Sequence, residues 1–290
     1  MPSQPRLPDS ITTPADVAAI DAAARIARTP CGDGHTVWRI WNESGIDRPP
    51  VVLLHGGSGS WNHWVRNIAA LVEAGRMVIA PDLPGCGDSS PLPSGNDADA
   101  IPPWIESGLN ALVGDRACQL VAFSFGAMVA TLLAAAQPAR VERLVIVGAP
   151  GLKAQGLPSL GLKAWSYLPA GAERDSIIRK NLRILMVARE DSMDATALEM
   201  HIANLLRDRL QGRHLSQTGI VAETLPRVTC PVFGLWGALD ALYVDRLEII
   251  EPALRNAPEF RSLTMIEGAG HWVQFEEAGH FNRVLATLLT

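Results

Sequence analysis

The stretch Val121-Ala122-Phe123-Ser124-Phe125-Gly126 joins a short apolar run to a long segment of small and apolar residues. Residues 118–122 predict a buried strand, and residues 126–136 predict a buried helix because they are small or apolar on every side. A serine at a tight turn from strand to helix, with small residues two positions before and after it, is the nucleophile-elbow pattern. The stretch therefore predicts that Ser124 is an activated nucleophile, the alternative being a small turn residue.

Further apolar runs predict the sheet to which this strand belongs. Buried strands are predicted at residues 51–55, 77–80, 144–148, 232–236 and 261–266. Segments with apolar residues at helical spacing, such as residues 61–72 and 104–113, lie between several of them. This alternation predicts an α/β fold with a mainly parallel central sheet flanked by helices.

Sequence patterns also predict helices and a strand near the two ends of the chain. Residues 14–27 are rich in alanine and predict a weak helix, and residues 35–41 predict a strand. Residues 272–289 predict one final helix that buries its apolar side.

The pattern changes in the middle of the chain. Between about residues 152 and 225 no buried β run occurs, and residues 175–187 and 194–210 predict helices instead. We therefore predict a core formed by residues 1–151 and 226–290, with residues 152–225 as a helical cap inserted between two strands.

Composition and charge exclude several classes of partner. Hydrophobic residues make up 48% of the 290 residues and charged residues 19%, which suffices for a substantial core. The formal net charge is −5 and no basic run occurs, so neither nucleic acid nor a membrane is an expected partner. The four cysteines are scattered, which fits a reducing compartment. Because the N-terminus lacks an apolar signal region, we expect a cytoplasmic protein. We expect it to be a monomer or a homodimer.

The motifs indicate neither a metal nor an organic cofactor. The glycine-rich residues 56–59 lack the spacing and the Lys-Ser/Thr ending of a phosphate loop. There is no His-Glu-x-x-His motif and no Cys/His cluster with metal-ligand spacing. The expected partner is a small hydrophobic substrate.

Three candidate catalytic side chains follow predicted strands in an informative order. Ser124 comes first, Asp240 follows the strand at 232–236, and His271 follows the strand at 261–266. In open α/β sheets ligand chemistry gathers at the carboxyl ends of the strands. The order Ser, Asp, His distinguishes one fold from others that carry the same three groups.

The roles follow from the chemistry of each group. A serine hydroxyl needs a base at neutral pH, and His271 can take its proton and return it to the leaving group. Asp240 would hold the tautomer of His271 and stabilise the imidazolium. The backbone N–H groups of Phe125 and Gly57 are the predicted oxyanion hole, with Ser58 as the alternative to Gly57.

Two alternatives stay open at this point. Asp245 competes with Asp240, which is favoured because it is nearer the end of its strand. The alternative for His271 is a structural role, in which its side chain caps the end of the last helix.

The motifs together resemble the α/β-hydrolase fold superfamily, in its serine hydrolase branch, over nearly the whole chain. The motifs are 55–57 (HGG), 81–89 (PDLPGCGDS), 122–126 (AFSFG), 237–240 (GALD) and 270–276 (GHWVQFE). Residues 270–276, followed by Phe281-Asn282-Arg283, and the position of the cap are similar to hydrolases that cleave carbon–carbon bonds of ring-fission products in aromatic compound degradation.

The chain departs from that closer group at two positions. Those enzymes usually carry Asn before the nucleophile, where this chain has Phe123, and an Arg in the cap, whose place falls at Asn204 with Arg207 and Arg209 near it. A more apolar site favours an uncharged ester, as in carboxylesterases. We therefore expect a serine hydrolase of a hydrophobic carboxylic ester or related acyl compound. The alternatives are carbon–carbon hydrolysis of a 2-hydroxy-6-oxo-dienoate and a non-catalytic ligand-binding protein.

A pocket roofed by the cap is expected above Ser124. Its predicted lining is apolar or small: Ser58, Phe123, Trp165, Met186 and Trp272, with Tyr167, Leu185 and Leu205 as further candidates in the cap.

Overall fold

The computed structural model describes residues 7–8, 10–152 and 158–290. Its strands are β1 Arg25–Cys31, β2 Gly34–Trp41, β3 Val51–Leu54, β4 Val78–Pro81, β5 Cys118–Phe123, β6 Val141–Val147, β7 Val232–Gly237 and β8 Phe260–Ile266. In the described residues they form one sheet of eight strands in the order β1-β2-β4-β3-β5-β6-β7-β8. The pairs β1–β2 and β2–β4 are antiparallel and the other neighbours are parallel, so the predicted mainly parallel sheet is confirmed.

Helices cover both faces of this sheet. They are α1 Pro14–Ala22, α2 Val65–Glu73, α3 Pro102–Val113, α4 Phe125–Ala136, α5 Ala172–Leu185, α6 Ala195–Leu206, α7 Ile220–Thr224, α8 Ile250–Leu254, α9 Val273–Glu276 and α10 Ala278–Leu288. Short 3₁₀ turns occur at Trp61–Trp64, Ala98–Ala100, Glu190–Ser192, Leu215–Gln217, Leu225–Arg227 and Leu247–Ile249. No helix in the described part of the chain is both long and apolar enough to cross a bilayer.

Strand β5 is buried throughout, and its alternate residues enter different cores. Leu120 and Ala122 pack in the core that contains α3 and α4 side chains. Val121 and Phe123 pack in the core that contains side chains of α2 and α10. The sheet is therefore buried on both faces, and its parallel strands end at one shared edge.

The N-terminal prediction was wrong in part. The helix predicted over residues 14–27 ends at Ala22, and β1 begins at Arg25. Strand β1 is stabilised by pairing with β2 across a tight turn, where Gly32 has a φ of +58°. Its Thr29 hydroxyl accepts the indole N–H of Trp38 at 2.8 Å. Partners of this kind are set by the fold, so the local alanine content did not indicate them.

Two predicted helices are divided. The helix expected at 61–72 begins as a 3₁₀ turn, Trp61–Trp64, and becomes α-helical only in α2. The final helix breaks at Glu277, whose φ of −118° and ψ of 47° separate α9 from α10.

Helices α5, α6 and α7 lie between β6 and β7, and no strand occurs among the described residues of this region. Part of the predicted cap, residues 153–157, lies outside the described residues. The division into a core and a cap at residues 152–225 stays a prediction. The N-terminal end of α6 is attached to the rest of the protein by the ion pair of Arg66 with Asp194 at 3.0 Å and by the hydrogen bond from the Thr196 hydroxyl to the carbonyl of Thr12 at 2.9 Å.

Candidate active site

Ser124 stands at the turn between β5 and α4, in a backbone conformation that few non-glycine residues adopt. Its φ is 51° and its ψ is −117°, and such strain costs about 1–3 kcal/mol. Gly126 permits the turn because a Cβ there would lie only 2.4 Å from the carbonyl oxygen of His55. The N–H of Ser124 donates to the carbonyl of Val147 at 2.8 Å, which anchors the turn to β6. The Ser124 side chain is thereby held at the carboxyl edge of the sheet.

The structure brings Ser124, His271 and Asp240 together. The Ser124 Oγ lies 3.0 Å from Nε2 of His271, and Nδ1 of the same ring lies 2.8 Å from Oδ2 of Asp240. Asp240 is fully buried and its other oxygen accepts the N–H of Leu242 at 2.9 Å. The alternative carboxylate, Asp245, is exposed. This arrangement can move a proton from the hydroxyl to the imidazole and stabilise the resulting charge.

The end of β6 passes directly behind the His–Asp pair. A Cβ on Gly148 would lie 3.3 Å from the His271 ring and 3.4 Å from Oδ2 of Asp240, and its φ is +53°. Both the close approach and the positive φ favour glycine. In the sequence this glycine was only the last residue of a predicted strand.

The loop after β3 lies beside the residue that follows the nucleophile. A Cβ on Gly57 would lie 3.6 Å from Cβ of Phe125, so the two predicted oxyanion donors are neighbours. Ser58, the alternative donor, has its hydroxyl 2.5 Å from the Asp208 carboxylate. The role of Gly57 and Phe125 in holding an oxyanion stays a prediction.

Arg213 is a cation beside this loop that the sequence did not indicate. Its Nη2 donates to Asp208 at 2.8 Å and to the Ser58 hydroxyl at 3.1 Å. Its Nη1 is buried and has no acceptor within the described ranges. That nitrogen lies 3.4 Å from the position of a Cβ on Gly57, and the guanidinium lies 5.3 Å from the ring centre of Phe125. Arg213 can therefore offer a charged donor next to the predicted oxyanion hole.

Asn204, Arg207 and Arg209, the residues of the predicted cap considered at the place of the family arginine, have other partners. The Asn204 amide is buried, accepts from the Ser60 hydroxyl at 2.9 Å and donates to the Asn62 side chain at 2.7 Å. Arg207 pairs with Asp88 at 2.7 Å. Arg209 donates to the carbonyl oxygens of Gly87 and Ser89.

Three of the predicted pocket residues, Phe123, Met186 and Trp272, are buried. The Phe123 ring centre lies 4.9 Å from that of His271. Trp272 is fully buried and stacks on Phe275 with ring centres 4.1 Å apart. The carbonyl of Met186 accepts the N–H of Trp272 at 2.7 Å, so the C-terminal end of α5 contacts the His271 loop.

The remaining cap candidates are less enclosed. Trp165, Leu185 and Leu205 are half-buried. Tyr167 is 73% exposed, so its side chain does not form part of a closed roof in this structure.

A single carboxylate links the segment after α5 to the loop that carries His271. Glu276 accepts the N–H groups of Ala188 at 3.0 Å, Arg189 at 2.7 Å and Gly270 at 2.7 Å. A Cβ on Gly270 would lie only 2.7 Å from the nitrogen of Ala188, so the two segments are in direct contact. The segment at 188–189 and the residue before His271 are therefore held by one side chain, a connection that sequence reasoning missed.

Comparisons with known proteins agree on the fold. The family model described as alpha/beta hydrolase fold matches residues 49–176. Among solved structures, carboxylesterase CesB (YbfK) from Bacillus subtilis has a TM-score of 0.76 at 18% identity, covering 92% of this chain and 91% of that one. The meta-cleavage product hydrolase CumD from Pseudomonas fluorescens IP01 has a TM-score of 0.72 at 21% identity, covering 90% and 96%.

Curated relatives match most of the chain by sequence. A 2-hydroxy-6-oxononadienedioate/2-hydroxy-6-oxononatrienedioate hydrolase of Cupriavidus pinatubonensis is 28% identical over 95% of this chain and 99% of its own length. A 2-hydroxy-6-oxo-6-phenylhexa-2,4-dienoate hydrolase of Burkholderia cepacia is 27% identical over 82% of this chain and 87% of its own length.

Proposed function

From the premise that this chain is a hydrolase with the α/β-hydrolase fold, we propose that it cleaves a carbon–carbon bond in a 2-hydroxy-6-oxo-dienoate. Such compounds are ring-opened products of aromatic degradation. The observation that carries the proposal is the agreement of relatives matching 95% and 82% of the chain on this class of substrate in their names. The comparisons thus favour the alternative considered from the sequence over the ester that was expected first.

The proposed mechanism uses Ser124 as nucleophile and His271 as base. His271 takes the proton of the Ser124 hydroxyl, and the Oγ attacks the ketone carbon. The N–H groups of Gly57 and Phe125 stabilise the oxyanion. When the carbon–carbon bond breaks, its electron pair stays on the leaving carbon, to which His271 returns the proton. A water activated by His271 then releases the acyl group from Ser124 as a carboxylic acid.

Arg213 supports an anionic substrate. Its buried Nη1 has no acceptor among the residues that the structure describes, although Nη2 is paired with Asp208. A buried guanidinium nitrogen without an acceptor is costly, and a carboxylate matches its geometry well. A substrate carboxylate next to Gly57 would satisfy it.

A panel of substrates tests the proposal. Wild-type protein and Ser124→Ala are assayed with a 2-hydroxy-6-oxo-dienoate, followed by loss of its absorbance, and with p-nitrophenyl esters of increasing acyl length. We expect the wild type to turn over the dienoate with the higher kcat/KM. Ester turnover without measurable dienoate turnover would reject it.

Hydrolysis of an uncharged ester is the second candidate, and the position of Phe123 favours it. The Phe123 side chain is fully buried and contacts the His271 ring, so the surroundings of the base are apolar on this side. An acyl chain would pack there. In the same panel this candidate predicts a kcat/KM that rises with acyl length.

Replacement of Arg213 by Gln is expected to raise KM for a substrate carboxylate by about 10- to 100-fold, because a charged hydrogen bond is lost. The KM of a small neutral ester should change less than about threefold. Arg213→Lys, which keeps the charge, should recover part of the loss. Arg207→Gln removes a cation from the same segment and is the matched control, since Arg207 pairs with Asp88 instead. Equal effects of Arg213→Gln on both substrates would contradict the assignment.

A further inference from the structure

Hydrogen bonds fix helix α6 over the 3₁₀ turn Trp61–Trp64. Asn204 of α6 accepts from Ser60 at 2.9 Å and donates to Asn62 at 2.7 Å. His63 is the next residue on the turn, and His201 lies three residues before Asn204, on the same side of α6. Both histidines are buried, at 1% and 8% exposure. The junction therefore brings one histidine from the core and one from α6 into the same region.

His63 offers a hydrogen-bond donor that is not used. Its Nδ1 accepts the N–H of Gly56 at 3.2 Å, so in the neutral ring the proton is on Nε2. Burial lowers the pKa of His63 well below its usual value, and the nearby His55, His201 and His271 lower it further. The ring is thus neutral, and its Nε2–H is buried with no acceptor in the described parts of the chain.

His201 supplies the complementary group. Burial lowers the pKa of His201 to about 4, so this ring is also neutral. Its Nδ1 is buried and likewise unpaired within residues 7–8, 10–152 and 158–290. A neutral imidazole has one nitrogen that accepts and one that donates.

His63 adjoins residues that flank the nucleophile and the base. The ring centre of His63 lies 5.6 Å from that of Phe123 and 5.0 Å from that of Trp272. Arg213, in contrast, packs against Phe125. Arg213 and His63 therefore contact residues on different sides of Ser124 in the chain.

We propose that His63 and His201 form a subsite for a neutral hydroxyl group of the substrate. The Nε2–H of His63 donates to the hydroxyl oxygen, and the hydroxyl proton is donated to Nδ1 of His201. Two neutral imidazoles provide no countercharge, so the subsite favours a hydroxyl over a carboxylate. The inference rests on the proposed function, whose substrate carries a 2-hydroxyl group.

Binding to the inactive Ser124→Ala protein tests the subsite without turnover. Calorimetry compares 2-hydroxy-6-oxo-6-phenylhexa-2,4-dienoate with its analogue lacking the 2-hydroxyl. We expect the hydroxylated compound to bind at least about tenfold more tightly, because the analogue leaves two buried groups unpaired. Adding His201→Phe should abolish this difference, and adding His201→Gln should retain part of it. Adding His280→Phe, at an exposed histidine of α10, should leave it unchanged.

The outcomes separate this inference from the proposed function. A preference for the hydroxylated compound that survives His201→Phe overturns the subsite, as does equal weakening of both compounds or no preference at all. Thermal unfolding of each variant shows that it is folded. Wild-type turnover of the dienoate is measured separately. If turnover is absent but the preference depends on His201, the proposed reaction fails and the subsite stands. If the dienoate is turned over but the preference does not depend on His201, the subsite is rejected and the proposed reaction stands.

Discussion

Ser124→Ala is expected to lower kcat by about 10⁴-fold or more while the protein stays folded. The Ser124 Oγ lies 3.0 Å from the only His271 nitrogen that is not directed at Asp240. Without that oxygen no acyl-enzyme can form, and the imidazole has no proton to take. The substitution removes one atom from a half-buried side chain and keeps a Cβ in the same strained turn, so we expect little change in melting temperature.

A fluorophosphonate probe gives an independent measurement. The wild type should be labelled at Ser124, and Ser124→Ala should not be labelled. Ser58→Ala is the matched control because this hydroxyl also lies near the site but is bound to Asp208. It should keep its labelling at Ser124. A folded wild type that the probe does not label would favour the non-catalytic, ligand-binding alternative.

Asp240→Asn is expected to reduce kcat by about 10³- to 10⁴-fold. The carboxylate can only accept, so Nδ1 of His271 carries the proton and Nε2 faces Ser124 with its lone pair. An amide can donate to Nδ1 and thereby favour the tautomer that cannot accept the serine proton. The Asp240 side chain is fully buried, so water cannot readily take its place.

The comparison uses Asp245→Asn, because Asp245 is exposed and follows the same strand. This variant should keep nearly full turnover in the same assay. If Asp240→Asn loses less than about tenfold, or Asp245→Asn loses as much, the assignment of the acid is wrong.

The sequence predicted the three central side chains because their placement depends on one simple rule. Parallel strands end at one edge, so residues after β5, β7 and β8 converge there although they are far apart in the chain. Strand β1 was missed because it depends on pairing with β2 rather than on a pattern of its own.

Arg213 and His201 were beyond the reach of the same reasoning. Arg213 differs from Arg207 and Arg209 only in its partners, and these include Ser58, which lies 155 residues away in the chain. The position of His201 depends on the hydrogen bond between Asn204 and Asn62, which attaches α6 to the 3₁₀ turn Trp61–Trp64. Phe123 lies beside His271, but the expectation of a more apolar site did not account for Arg213 near Gly57.

The three hydrogen bonds to Glu276 have a consequence for how the protein opens. If residues 188–189 moved outward, they would pull on Gly270 and so displace His271 from Ser124. After such a movement the protein would also be inactive, because His271 would no longer be within reach of the Ser124 hydroxyl. Amide hydrogen exchange can detect this behaviour: residues 188, 189 and 270 should exchange together, at a common rate that slows when the site is filled.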